Sequence, residues 1–159
     1  MRSITGITSN SRRGFAVEDS AAATFAFENG CLGTLICTDA GFSPWTIEQG
    51  TSENPSFAFT GQSAYRVIGT SGSLEVPVLR RWAAAKPGEI GWDRPITSAD
   101  ITVPWHDPYV AQLEHFQRLV RLDEPAVVPV LDGANTLAAT LAVAQSAQSG
   151  QRCAPRRFG

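Results

Sequence analysis

The stretch "AAATFAF-ENGC-LGTLICT", residues 21–38, decides the fold. Two apolar runs with β-branched and aromatic residues flank Asn29-Gly30, a dipeptide that tolerates positive φ at both positions and so favours a tight hairpin turn. A two-residue turn would set Phe27 opposite Leu32, Phe25 opposite Thr34 and Ala23 opposite Ile36. The other face would then carry Ala22, Thr24, Ala26, Gly33, Leu35 and Cys37. Neither face is polar, whereas a sheet that meets water on one side usually alternates cleanly. The expectation is a sheet covered on both faces, by helices on one and by a partner domain or subunit on the other.

Outward from this hairpin, "SITGITS" (3–9) reads as a strand and "SNSRRGFAVEDS" (9–20) as a loop. "YRVIGTSGSLEVP" (65–77) reads as a second hairpin, with Gly69 and Gly72 in its turn. "VLRRWAAA" (78–85) is another strand, "KPGEIGWDRP" (86–95) a loop and "DITVPW" (100–105) a last strand. Pro77 and Pro104 mark edges or strand ends. Two helices follow. "DPYVAQLEHFQRLVRL" (107–122) opens with Asp107 as N-cap and Pro108 at the first helical position. Its Tyr109, Leu113, Phe116 and Val120 make one stripe. "DGANTLAATLAVAQSAQSG" (132–150) has Asp132 as the expected N-cap and Gly150 just past its end. Small residues along it, Ala134, Ala138, Ala142 and Ala144, with Leu137 and Leu141, permit close packing. Strands first and helices last predict an α+β fold: an open, mainly antiparallel sheet with helices on one face and the other face available for dimerisation.

The 159 residues are the size of one domain, and residues 1–159 are read as such. The net charge of −2 leaves no electrostatic footprint for nucleic acid or an anionic membrane. The basic cluster Arg152, Arg156, Arg157 reads as a solvated tail. No apolar run reaches the length of a membrane span, and "MRSITGITSNSRRG" lacks the apolar core of a signal peptide. Cys31, Cys37 and Cys153 form no framework, which fits a reducing compartment, so the expected location is cytoplasmic. His106 and His115 have no cysteine partners at zinc spacing, and no metal is expected.

Cofactor and nucleophile motifs do not occur in these residues: no G-x-G-x-x-G between strand and helix, no phosphate loop, no G-x-S-x-G. "GTSG" (69–72) reads as a plain turn. The segment "SPWTIEQGTSENPSFAF" (43–59) reads as a loop that sets Trp45 near Glu48. A carboxylate beside an aromatic wall suits a polyol, which needs hydrogen bonds at its edges and apolar contact at its face. His106, between Trp105 and a helix N-cap, is either a polar group lining a site or a plain loop histidine. A neutral ring is expected there, since a helix N-terminus disfavours an imidazolium. His115 lies one position off the apolar stripe and reads as a packing residue. Glu18 and Asp19 are adjacent in an extended segment, so they point to opposite faces and do not act as a pair; a turn is the plainer reading.

The order of five segments adds to this: "VEDSAAATFAFENGCLGTL", "SPWTIEQGTSENP", "YRVIGTSGSLEVP", "HDPYVAQLEHFQRLVR" and "EPAVVPVLDGANTLAATLAVAQSAQSG". Together they resemble the C-terminal domain of the Gfo/Idh/MocA oxidoreductases, relatives of glucose–fructose oxidoreductase and inositol dehydrogenase, from about Ser3 onward. The resemblance implies an open sheet with helices on one face, and a second face that commonly meets another subunit. It implies NAD or NADP in a full-length relative, held by a separate Rossmann domain, and a sugar, inositol or related polyol as substrate. The family's E-K-P and D-x-x-x-H motifs have no counterpart here: "AKP" (85–87) lacks the glutamate, and Thr102 and Ala111 stand four residues before His106 and His115. No catalytic residue and no cofactor-binding residue is therefore assigned to this chain. The substrate-lining residues expected are Trp45, Glu48, Tyr65 and His106. The alternative expectation is a stand-alone, non-catalytic dimeric module that binds a small ligand or a partner.

Overall fold

A computed structural model describes residues 1–121 and 124–159. In chain order the elements are β1 (Ser3–Ser9), β2 (Ser20–Ala26), β3 (Leu32–Thr38), α1 (Ile47–Thr51), β4 (Tyr65–Ile68), β5 (Gly72–Val76), β6 (Arg80–Ala84), β7 (Ile96–Asp100), α2 (Pro108–Val120) and α3 (Val130–Ser149). The fold is α+β. The strands form two antiparallel sheets, β1-β2-β3 and β4-β5-β6-β7. They belong to two compact units, Met1–Gly41 with Glu124–Gly159, and Phe42–Asp123.

In the first unit the hairpin is real, but its register differs by one residue from the expectation. Ala26 pairs with Leu32, Phe25 with Gly33 and Ala23 with Leu35. The loop has three residues, Glu28-Asn29-Gly30, closed by the Phe27 N–H donating to the Cys31 carbonyl at 2.9 Å. Only Gly30 takes positive φ, at 86°. Asn29 instead uses its side chain, accepting from the Cys31 N–H at 3.1 Å. A single left-handed glycine gives the three-residue hairpin, whereas the two-residue turn needs positive φ twice. The slip exchanges the faces of β3 relative to β2.

One face of this sheet now carries Ile4, Gly6, Ala23, Phe25 and Gly33. Helix α3 packs on it through Ala138, Ala142 and Ser146, all buried and spaced by four. Gly6 is required for that approach, because a Cβ there would lie 2.7 Å from the Val143 carbonyl oxygen. The other face presents a row of paired residues, Ile7–Ala22–Ile36, and its large side chains are uncovered: Ile7 is 69%, Leu32 80% and Ile36 81% exposed.

Helix α3 is capped three residues earlier than expected. Pro129 is its N-cap and Asp132 lies in the first turn, where an anion is favoured. Gly150 ends it in the left-handed region at φ 66°, as expected.

In the second unit the hairpin β4-β5 and strand β6 stand where they were expected. The last strand does not: it is Ile96–Asp100, directly after the expected loop of 86–95, rather than 100–105. Strand β6 explains this. Its residues Arg80–Ala84 are fully paired by Asp100–Ile96, one further bond joins the Ile101 N–H to the Leu79 carbonyl, and the ladder ends there, leaving 102–105 outside the strand. Helix α2 has the expected cap, Asp107 accepting from the Tyr109 and Val110 N–H groups. The expected last residue of that helix, Leu122, lies outside the described residues. Tyr109, Leu113, Phe116 and Val120 do share a face, but an exposed one; the more covered side carries Ala111, His115 and Leu119. Among the described residues the buried apolar side chains are Ile4, Ala23, Ala138 and Ala142, all in the first unit.

Candidate functional site

All four expected site residues fall in the second unit. Their centrepiece is α1, a helix where a loop was expected. Thr46 caps it, its hydroxyl accepting from the Gln49 N–H at 3.1 Å. Thr46-Ile-Glu-Gln49 is a Ser/Thr-x-x-Glu/Gln capping box, a signal present in the sequence and overlooked in its reading as a loop. Buried Gly50 lets the helix sit against the chain: a Cβ there would be 2.6 Å from both the Gln62 carbonyl oxygen and Pro77 Cγ. Thr60 holds both ends, its N–H donating to the Gln49 carbonyl at 2.8 Å and its hydroxyl to the Pro44 carbonyl at 3.0 Å.

This frame places Trp45 just before the cap and Glu48 in the first turn, both exposed. Trp45 is fixed through its N–H, which donates to Ser43 Oγ at 3.1 Å. Tyr65 opens β4 opposite Val76, with its side chain exposed. His106 lies before the Asp107 cap, with Nε2 3.7 Å from Glu114 Oε2. Among the described residues no hydrogen bond or ion pair joins any two of Trp45, Glu48, Tyr65 and His106. The four side chains are exposed, and no proton relay joins them.

Two concavities lie elsewhere, and none of the four residues lines either. One, about 290 Å³, runs over β4–β6 beside Val67, Leu74, Arg81 and Trp82. The other, about 300 Å³, lies along α3, between Ala134, Leu137, Ala138 and Leu141 and the side chains of Arg156 and Phe158. The basic tail beside the second is exposed, as expected, yet it makes contacts: Arg157 pairs with Glu28, and Arg156 stands over the Phe158 ring at 4.9 Å.

The carboxylate with the most structured surroundings is Asp19. It is buried and accepts from the Arg13 N–H at 2.9 Å, the Ser20 hydroxyl at 2.8 Å and the Arg12 N–H at 3.1 Å. The Arg13 N–H, then the Ser20 hydroxyl, hold its carboxyl below the usual range, against the opposing effect of desolvation. The two bonds from Arg12 and Arg13 close the 10–19 loop, which is a structural role. In the second unit Asp100 is also held low by its two-pronged bond to Arg80, at 2.8 and 3.3 Å.

A dinucleotide needs a glycine-rich turn between a parallel strand and a helix. Among the described residues every strand pair is antiparallel and no helix follows such a turn. The described residues do not fit NAD or NADP. Among them, no cluster of three His, Cys, Asp or Glu side chains could hold a metal ion, and no helix is long and apolar enough to cross a membrane.

The family model of the oxidoreductase C-terminal alpha/beta domain, of Gfo/Idh/MocA type, matches residues 2–154. Solved structures share the fold at low identity. Levoglucosan dehydrogenase in complex with NADH and levoglucosan superposes with a TM-score of 0.66 at 12% identity, over 99% of this chain and 45% of that one. Aldose–aldose oxidoreductase from Caulobacter crescentus, complexed with glycerol, gives 0.63 at 16% identity, over 96% and 41%. An NAD-binding protein from Listeria innocua gives 0.62 at 12% identity, over 97% and 41%. The chain thus spans less than half the length of each of these proteins. No curated protein matches its sequence.

Proposed function

The chain belongs to the Gfo/Idh/MocA oxidoreductase family as its C-terminal alpha/beta domain, and from that premise we propose that it is the substrate-side and oligomerisation domain of an NAD- or NADP-dependent enzyme acting on a sugar, inositol or related polyol. The observation that carries this reading is the family match over residues 2–154, which runs through both compact units and so supports treating residues 1–159 as one domain. Two structural neighbours were solved with polyhydroxylated ligands, levoglucosan and glycerol, which supports a polyol. The cofactor and the proton relay are assigned to a further domain, because hydride transfer requires a nicotinamide positioned against the substrate. Free Cys31, Cys37 and Cys153 support a cytoplasmic setting.

Trp45, Glu48, Tyr65 and His106 are the proposed substrate-lining residues, with Trp45 supplying an apolar wall and Glu48 accepting hydroxyl hydrogens. Titration with levoglucosan, glycerol and myo-inositol, followed by NMR, tests this. The Trp45 indole signal should shift, and Glu48→Gln should weaken the effect several-fold. Silence at all four residues with all three ligands overturns the assignment. In a parallel calorimetric titration NADH should give no heat; tight NADH binding would overturn the assignment of the cofactor to another domain.

A second reading, a stand-alone dimeric module without catalysis that binds a small ligand or a partner, rests on the same uncovered apolar row, Ile7–Ala22–Ile36 with Leu32. Both readings use that face for self-association and neither gives the chain a cofactor; hydride transfer once a cofactor domain is supplied separates them.

A further inference from the structure

We propose that residues 155–159 form a latch that opens and closes over the apolar groove of α3. These residues lie beyond the family match, which ends at 154. The segment 151–159 runs back along α3 from its last turn to its second. It is held by two sets of ties. The inner set rests on two buried residues of the sheet and helix, Ile4 and Ser146. Ile4 and Cys153 exchange two main-chain bonds at 2.8 and 2.9 Å, and buried Ser146 donates to the Gln151 carbonyl at 2.6 Å.

The outer set is exposed. The Asn135 side chain grips Phe158 from both sides, Oδ1 accepting from its N–H at 3.0 Å and Nδ2 donating to its carbonyl at 3.2 Å. Arg157 pairs with Glu28 in the β2–β3 loop. The Phe158 ring, with Arg156 over it, covers one side of the groove lined by Ala134, Leu137, Ala138 and Leu141.

The two sets differ in strength for a physical reason. Exposed ion pairs and hydrogen bonds compete with water and salt, and each contributes little; the buried set is shielded. Segments held only by exposed bonds open locally at small free-energy cost. The outer strap therefore releases while the Ile4–Cys153 bridge stays made. Release has two consequences: it uncovers the leucine-lined groove, and it unties α3 from the β2–β3 loop.

Amide hydrogen exchange on the full chain tests the latch, with the Cys153 amide as internal reference. Asn135→Ala should lower Phe158 amide protection about two- to tenfold, the equivalent of one hydrogen bond, and leave Cys153 unchanged. In the native chain, raising NaCl from ~0.05 to ~0.5 M should lower Phe158 protection, and Glu28→Gln should remove that salt dependence. Both variants should bind more of an apolar dye such as anilinonaphthalene sulfonate. An unprotected Phe158 amide in the native chain overturns the proposal. So does protection that Asn135→Ala leaves intact, or a loss at Phe158 matched by an equal loss at Cys153.

Discussion

Ser146 carries two links at once, since its hydroxyl accepts from the Gly6 N–H at 3.0 Å and donates to the Gln151 carbonyl. Ser146→Ala would leave both backbone groups without this partner at a buried position, at a cost of about 1–3 kcal/mol. Urea denaturation should show that loss as a lower midpoint with an unchanged slope. Asp19 makes a pH-dependent contribution. Its folded pKa is lowered, so the stability it supplies is complete above the unfolded carboxyl value of about 3.9 and is lost as pH falls through the lowered folded value. The stability difference between the native chain and Asp19→Asn should therefore be largest near neutral pH and shrink below about pH 4. Neither role was legible beforehand. Ser146 is one serine among several in a small-residue helix, and Asp19 next to Glu18 reads as turn chemistry until the loop folds back over it.

At the scale of elements, local chemistry sufficed where it was strong. Asp107-Pro108 starts α2 and Gly150 ends α3 as capping rules require. It failed where two local solutions were close in energy. Asn29-Gly30 supports two hairpin turns, and the three-residue one is formed. Helix α1 was legible in principle, through its capping box, but five residues give no periodicity to detect. Its end is strained: Ser52 adopts φ 62°, a conformation glycine takes without a Cβ clash. Ser52→Gly should raise stability by about 0.5–1 kcal/mol, the left-handed strain relieved less the added unfolded-state entropy. A thermal melt that moves downward would show that the serine side chain holds α1 in a way the backbone does not reveal.

For the whole molecule the informative surface is the sheet face bearing Ile7, Leu32 and Ile36. If it is the contact between copies, Ile36→Lys puts a charge into a desolvated interface and should weaken self-association by tenfold or more, about 1.4 kcal/mol. Sedimentation across a concentration series reads this directly, and an identical profile for native and variant chains would remove the face from the assembly. The sequence by itself determined the α+β class, the two hairpins, the two long helices and the family, because caps, turn residues and apolar periodicity act over a few residues and the order of five segments is specific. Only the tertiary structure decided the β2–β3 register, the partner of β6, the exposed side of α2 and the fastening of the tail. Each of these depends on which distant backbone groups and side chains are left to pair, and short-range chemistry is the same for the alternatives. The candidate site stands between the two: sequence named Trp45 and Glu48, and the fold supplied the helix that holds them.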